Sequence, residues 1–154
     1  MAAPGSPDGL ELLIAARGSD AVLTLRNGGT GTLTVFSHVD AGELHYDWFT
    51  ITLESGEETR VLRLQDNRNE SARVTAELAP GEQLEHVVDV VAWARRAVNG
   101  ARPLAAGTYR MWATYEVAEP SAPWRGALRS PITEITIPRT RRGLATLLRG
   151  RDYQ

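Results

Sequence analysis

The sequence predicts an all-β fold: an antiparallel β-sandwich of immunoglobulin-like type with a short helical insertion. The first observation is a series of short β-rich runs, separated by turns that contain Gly, Asn or Pro. Many short strands at regular spacing are typical of such a sandwich. The second observation is the segment 109–117, in which every second residue is apolar. This alternation indicates a strand with one buried face and one solvent-facing face.

The individual elements follow from these runs and their turns. The stretch "VVAWARRAVNG" at 90–100 predicts a helix, because it holds good helix formers and ends on an Asn-Gly pair typical of a C-terminal cap. Pro80-Gly81 predicts a type II turn. Tyr109, just after Gly107, predicts a tyrosine corner, in which the hydroxyl bonds to upstream backbone. The predicted strands are 10–16, 21–26, 32–39, 44–53, 59–64, 72–78, 84–91, 108–117 and 132–137.

The length of 154 residues matches one domain with a tail. Residues 1–8, rich in Ala, Pro, Gly and Ser, predict a flexible lead-in. The sandwich is expected to cover 9–138, and the composition changes from there. Residues 139–154 form a basic C-terminal tail, in which one acid, Asp152, stands against Arg139, Arg141, Arg142, Arg149 and Arg151.

Composition and charge exclude several classes of protein. The net charge of -2 provides no overall attraction to nucleic acid. The absence of cysteine excludes disulfides and cysteine-ligated zinc. No stretch approaches the roughly 20 apolar residues of a membrane-spanning helix, and the N-terminus lacks the basic region of a signal peptide. We therefore expect no nucleic-acid partner, no membrane span and a cytoplasmic location, unless a leader has been removed.

No set of residues suggests catalysis. Ser37 and His38 are neighbours on a predicted strand, so their side chains should point to opposite faces. No Gly-x-Ser-x-Gly elbow, phosphate-binding loop or dinucleotide fingerprint occurs. The polar loop 65–71 offers oxygen ligands for calcium but lacks the spacing of an EF-hand. We predict a protein that is not an enzyme and has no cofactor.

The hairpin 37–47 is the one candidate metal site. If Ala41-Gly42 forms a two-residue loop, His38 lies directly opposite His45, and both share a face with nearby carboxylates. Two opposed imidazoles and a carboxylate can bind a divalent metal ion. The favoured interpretation is an ordinary polar hairpin face without a metal.

Several motifs occur together in one order: "VLTLRNGG" (22–29), "WFTITLESGEE" (48–58), "ELAPGEQLEHVVDV" (77–90) and "LAAGTYRMWATYEV" (104–117). They share the pattern Leu78-x-Pro80-Gly81-Glu82 and a later Gly107-x-Tyr109. Over about residues 10–137 the chain resembles bacterial and fungal immunoglobulin-like accessory domains, namely the propeptides of deuterolysin-type metalloproteases and small intracellular proteinase-inhibitor-like proteins. The protease motif His-Glu-x-x-His is absent. The resemblance therefore implies the fold and a binding or masking role without catalysis.

Three segments are candidate partner-binding sites. Trp112 lies on the solvent-facing side of its strand beside Arg110, and both residue types are enriched at binding hot spots; the alternative is that the protein's own 91–103 segment, or the loop that holds Trp124, covers it. In the loop 119–127, Trp124 is either an exposed anchor or part of the core. In the tail, leucines at i, i+3 and i+4 predict a short helix that docks on its own domain or on a partner, or else a frayed terminus. The candidate residues are Arg110, Trp112, Pro123, Trp124, Arg125, Arg141, Arg142, Leu144, Leu147 and Leu148.

The functional prediction is a non-enzymatic protein-binding β-sandwich module. Its partner is a protein, with a second copy of the chain as one option. Two alternatives stay open. The first is a protease inhibitor or prosegment-like chaperone, which the resemblance suggests. The second is a structural subunit of a larger assembly, held by the basic tail.

Overall fold

The computed structural model describes residues 8–40, 44–64, 72–98 and 100–139. Antiparallel strands dominate this part of the chain, with one short helix, so the all-β prediction is confirmed. The elements in chain order are β1 Leu10–Arg17, β2 Asp20–Asn27, β3 Leu33–Asp40, β4 Leu44–His45, β5 Phe49–Ser55, β6 Glu58–Leu62, β7 Arg73–Leu78, β8 Gln83–Asp89, α1 Val90–Arg96, β9 Gly107–Val117, β10 Gly126–Arg129 and β11 Thr133–Ile137.

The strands form three antiparallel sheets. One has the order β1-β2-β8, another has the order β10-β9-β5-β6 with β11 also paired to β9, and the third has the order β4-β3-β7. Two details differ from the sequence prediction. The predicted strand 44–53 is divided by a turn, in which Phe49 N donates to the Tyr46 carbonyl (3.0 Å). The strand β10 is absent from the predicted strands, because four residues are too few for alternation to stand out.

The inward side chains of β9 belong to the core. The predicted alternation of buried and solvent-facing residues along this strand is confirmed. Tyr109, Met111, Ala113, Tyr115 and Val117 are all buried. On the far side of this core, β1 packs against β9, β10 and β11. Tyr115 also ties the core to the third sheet, because its hydroxyl donates to the Phe36 carbonyl on β3 (2.7 Å).

A corner between the sheets forms where β2 leads into β3 and β7 leads into β8. The buried side chain of Asn27 donates to the carbonyls of Gly31 (2.7 Å) and Leu78 (2.8 Å). The predicted type II turn lies beside it: Glu82 N donates to the Ala79 carbonyl (2.9 Å), and Gly81 has a φ of 86°. Only a residue that tolerates positive φ suits this turn position, which explains the glycine.

The helix and the loop after it are held by side chains. Asp89 caps α1, since its carboxylate accepts from Ala92 N (3.0 Å). The buried Arg60 of β6 donates to the carbonyls of Ala94 (3.2 Å) and Gly100 (3.1 Å). The helix ends at Arg96, earlier than the Asn-Gly pair suggested. The tyrosine corner is confirmed, because the Tyr109 hydroxyl donates to the Ala105 carbonyl (2.6 Å).

Within the ranges that the structure describes, no helix has the length and apolar character needed to span a bilayer.

Candidate protein-interaction face

The second sheet has one face turned away from the core, which we call the outer face. Alternation along β9 places Arg110, Trp112 and Thr114 on it, opposite to the buried residues. Residues directly opposite in an antiparallel pair share a face. The register pairs Trp112 with Thr52 and Arg110 with Glu54. The outer face therefore continues from β9 onto β5.

An apolar row crosses the middle of the outer face. Thr52 of β5 pairs with Val61 of β6 on one side and with Trp112 of β9 on the other. The pairing of Thr133 with Met111 begins β11, and extending that register by one residue places Ile132 opposite Trp112. Val61 is 53% exposed and Ile132 is 43% exposed. We call Val61, Trp112 and Ile132, together with the buried Thr52 that lies between Val61 and Trp112, the apolar row.

Trp112 is partly buried, and its cover is an arginine. The Arg129 guanidinium of β10 lies over the Trp112 ring, 4.8 Å from the centroid. A cation in this position is attracted to the negative face of the indole. The contact holds the ring against the sheet while leaving part of it accessible. Sequence reasoning had not singled out Arg129 for this role.

Charged side chains border the apolar row on both sides. On one side, Arg110 is opposite Glu134 and forms an ion pair with Glu54 (2.7 Å). On the other side, Arg129 is opposite Thr114, and the exposed Arg63 lies beyond β6. The first border holds two acids and one base, whereas the second holds Arg129 and Arg63 together with the exposed Glu116 of β9. A partner with an apolar centre and polar surroundings would match this pattern.

A small polar cleft lies at this second border of the outer face. It has a volume of about 220 Å³ and is lined by Asp47, Trp48, Thr50, Arg63, Glu116 and Ala118. The buried Trp48 is held in its wall, because its indole nitrogen donates to the Glu119 carboxylate (3.0 Å). The lining mixes acidic and basic groups, so the cleft is suited to polar contacts at the border of an interface.

The second predicted site, around Trp124, lies in the core. The Trp124 ring is 6% exposed and packs beside Tyr115, with 5.6 Å between centroids. The flanking Pro123 and Arg125 are exposed. Gly126 passes directly under the ring, where an added Cβ would come within 2.9 Å of Trp124. Of the two interpretations of Trp124, closure of the core is therefore the one that this structure adopts.

The third predicted site falls in the tail. Arg141, Arg142, Leu144, Leu147 and Leu148 lie outside the described residues, which end at Arg139. Their role as an interaction element stays a prediction. The calcium-type loop 65–71 lies outside the described residues as well.

The hairpin register differs from the one on which the metal site depended. Val39 pairs with His45 and Asp40 pairs with Leu44, so the connection is one residue longer than the two-residue loop assumed. A shift by one residue moves a side chain to the other face of a strand. The prediction that His38 lies opposite His45 is therefore wrong. Among the described residues, no group of three or more His, Asp or Glu side chains is arranged to hold a metal ion.

Ser37 and His38 also differ from the prediction, because a β-bulge lies between Phe36 and His38. An extra residue in one strand removes the strict alternation of faces. Ser37 Oγ lies 2.9 Å from His38 Nδ1 and 3.3 Å from His86 Nε2. The prediction that Ser37 and His38 point to opposite faces is wrong, and both contact the same buried cluster.

His86 is the centre of that cluster. Its Nε2 donates to the Ser37 carbonyl (3.0 Å), and its ring stacks on Tyr46 with 4.2 Å between centroids. Burial lowers the pKa of the His86 imidazole to about 4; the Ser37 hydrogen bond opposes this shift and His38 adds to it. The imidazole is thus neutral at pH 7. With Ser37 only 3% exposed, the arrangement joins β3 to β8 as a buried hydrogen-bond network.

No protein-family model matches the chain, and no curated protein matches it at a significant level. The resemblance to protease propeptides and inhibitor-like proteins therefore stays an expectation.

Two functional candidates, Val61 and Ile132, were missed by sequence reasoning. Each lies next to a position that pattern alone recognises: Val61 precedes the buried Leu62, and Ile132 precedes the start of a strand. Parity along β6 could have placed Val61 on the outer face. The closeness of Val61 to Trp112 depends on the order of the strands in the sheet, and no local sequence pattern contains that order.

Proposed function

We propose that the chain is a non-enzymatic protein-binding module and that the outer face is its binding surface. The observation that carries the proposal is the apolar row. Two of the four large hydrophobic side chains that the described residues expose, Val61 and Ile132, flank a tryptophan on one line across the sheet. Exposed apolar side chains that lie close together and are bordered by polar groups are typical of protein interaction sites.

The physical setting of Trp112 supports this role. A ring held by a strand and by Arg129 loses little conformational freedom on binding, so less of its contact energy is offset by ordering. The charged borders would exclude water from the centre of an interface while contributing orientation. Tryptophan and arginine at the centre of such a patch are the residue types that most often carry binding energy.

We also propose that the sheets form an immunoglobulin-like sandwich. The packing of β1 against β9, β10 and β11 and the tyrosine corner at Tyr109 support this finer assignment. The resemblance to inhibitor-like domains supports a binding role in general. An inhibitory loop at 119–127 gains no support, because its tryptophan is in the core.

The experiment compares two matched surface variants of the full chain. Val61→Asp places a charge in the apolar row, and Val87→Asp places the same charge at a 47% exposed position on the other sheet. Immobilised wild type should capture a partner from a lysate of the source cell. Val87→Asp should capture the same partner, and Val61→Asp should not. Circular dichroism should show both variants folded.

Calorimetry with the purified partner makes the test quantitative. We expect Trp112→Ala to weaken binding by about 2 kcal/mol or more, roughly 30-fold in Kd, as hot-spot anchors do. Equal affinity of wild type, Val61→Asp and Trp112→Ala would place the binding surface elsewhere. A loss of binding in Val87→Asp alone would place it on the sheet that contains β8.

A further inference from the structure

We propose that β1 is a homodimerisation edge. The β1 strands of two copies would pair antiparallel about a two-fold axis at Ile14 and join two three-stranded sheets into one. The inference concerns the sheet β1-β2-β8, so it does not depend on the proposed binding role of the outer face. Three observations carry it: the open edge of β1, the apolar middle of the strand, and the opposite charges near its two ends.

β1 leaves one edge of its sheet open. It ends the sheet order β1-β2-β8, and β2 is the strand with which it pairs in the described part of the chain. Gly28 N donates to the Gly9 carbonyl (2.9 Å), and this pair continues the register between β1 and β2. Hydrogen-bonded and non-hydrogen-bonded pairs alternate along an antiparallel ladder. The backbone groups of Leu12, Ile14 and Ala16 therefore point away from β2, toward the open edge.

β1 lacks the features with which proteins usually protect an exposed edge. Its eight residues keep an unbroken register with β2. The strand contains no proline, and its residues from 12 to 16 are all apolar. Charged side chains, prolines and bulges are the usual means of preventing edge-to-edge pairing. Without them in its middle, this edge is suited to accept another strand.

The second half of β1 extends beyond the core. Leu12, Ile14 and Ala16 share the inward face of the strand, but Leu12 is fully buried, Ile14 is half-buried and Ala16 is exposed. In the proposed dimer, Ile14 lies opposite Ile14 of the second copy, and Leu12 of each copy lies opposite Ala16 of the other. Apolar side chains would therefore meet along this face and lose contact with water.

The charges favour a second copy as the partner and set the register. When the two Ile14 residues are opposite one another, Glu11 lies opposite Arg17 of the second copy, and the two-fold axis repeats this pair. Opposite charges directly across a strand pair are stabilising. Arg17 is exposed. Glu11 already contacts Arg26 (3.3 Å), but its side chain stays 39% exposed, so a second arginine can approach the same carboxylate.

Two other outer strands lack this self-complementarity. β8, at the other end of the same sheet, carries Glu85 and Asp89 without an arginine, so pairing two copies of β8 would bring acids together. β7 carries a base and an acid, but its Arg73 lies over the Phe36 ring and pairs with Glu119 (3.9 Å). The base of β7 is thus held within its own domain.

Single-cysteine cross-linking tests the register, because the native sequence has no cysteine. In the proposed dimer, the two Ile14→Cys positions are directly opposite, with Cα atoms about 5.5 Å apart, within disulfide range. Ala16→Cys is the matched control, since its two copies lie about 13 Å apart along the strands. Under mild oxidation, Ile14→Cys should form covalent dimers at least about tenfold faster, although Ala16 is the more exposed of the two.

Charge variants test the pairing without a cross-link. Sedimentation velocity over a concentration series should show that wild type dimerises reversibly. Arg17→Glu and Glu11→Arg each place like charges opposite one another twice, so each should raise the Kd of the dimer by at least about tenfold. An equimolar mixture of the two variants should recover the dimer, because each copy then meets opposite charges on the other. Circular dichroism should show both variants folded.

Three results would overturn the inference. The first is wild type that stays monomeric up to about 1 mM. The second is equal cross-linking rates for Ile14→Cys and Ala16→Cys. The third is a dimer whose Kd does not respond to Arg17→Glu, which would place the contact elsewhere. Partner capture by the outer face is measured separately with Val61→Asp, so none of these results decides the proposed function.

Discussion

Replacing Trp124 with alanine should lower the free energy of unfolding by about 3–5 kcal/mol, the usual cost of deleting a buried aromatic ring. The ring is 6% exposed and packs against Tyr115, which is itself fully buried. Gly126 lies against the ring, so that an added Cβ there would come within 2.9 Å of Trp124. Deleting the ring leaves a cavity between Gly126 and Tyr115, and the loss of its contacts accounts for the expected cost. Urea unfolding monitored by circular dichroism measures it.

Trp112→Ala is the matched control, because it deletes the same side chain from the outer face. We expect it to cost about 1 kcal/mol, mainly through the contact with Arg129. Arg125→Ala, next to Trp124 but exposed, should change stability by less than about 0.5 kcal/mol. If Trp124→Ala were as stable as Arg125→Ala, Trp124 would not belong to the core, and the loop 119–127 would return as a candidate binding site.

Acid should destabilise the protein through His86. Burial lowers its pKa to about 4 from a usual value of 6.5, so the unfolded chain binds a proton more readily than the folded one. Stability from this group is fully present above pH 6.5, decreases as the pH falls toward 4, and levels off below that. The expected loss is about 3 kcal/mol over this window, since each pKa unit corresponds to about 1.4 kcal/mol.

His86→Gln isolates this contribution, because glutamine can donate to the Ser37 carbonyl and does not titrate. The variant should be less stable than wild type at pH 7, where it lacks the stacking on Tyr46. Carboxylates titrate equally in both proteins, so the difference in unfolding free energy between them should narrow by about 3 kcal/mol between pH 7 and pH 4. A difference that stays constant with pH would show that His86 is not the acid-sensitive group.

The parts of the fold that could be predicted are those with a local signature. Alternation of apolar and polar residues identified the inward residues of β9. The pair Pro80-Gly81 identified the turn between β7 and β8, because restrictions on φ act within the turn itself. The wrong predictions concern places where one extra residue changes the face of the strand to which a side chain points. The bulge at Ser37 and the longer connection after Asp40 each shift a side chain to another face, and neither leaves a pattern in the sequence.

The candidate site was predictable only in its centre. Parity alone placed Arg110 and Trp112 on the solvent-facing side of β9. The rest of the apolar row comes from β6 and from the start of β11, and it becomes a surface only through strand neighbours. The same limit applies to Trp124: the sequence places it in the loop 119–127 but does not contain the direction in which its ring points.

Oxidative footprinting of the complex tests the central claim most directly, since it reports which side chains a partner covers. Side chains of wild type would be labelled by hydroxyl radicals with and without the purified partner, and the modified residues read by mass spectrometry. We predict that Trp112, Val61 and Ile132 become protected, while Val87 and Val98, which are exposed to a similar degree, are labelled equally in both states. Unchanged labelling of Trp112 together with protection of Val87 or Val98 would contradict the assignment of the outer face as the binding surface.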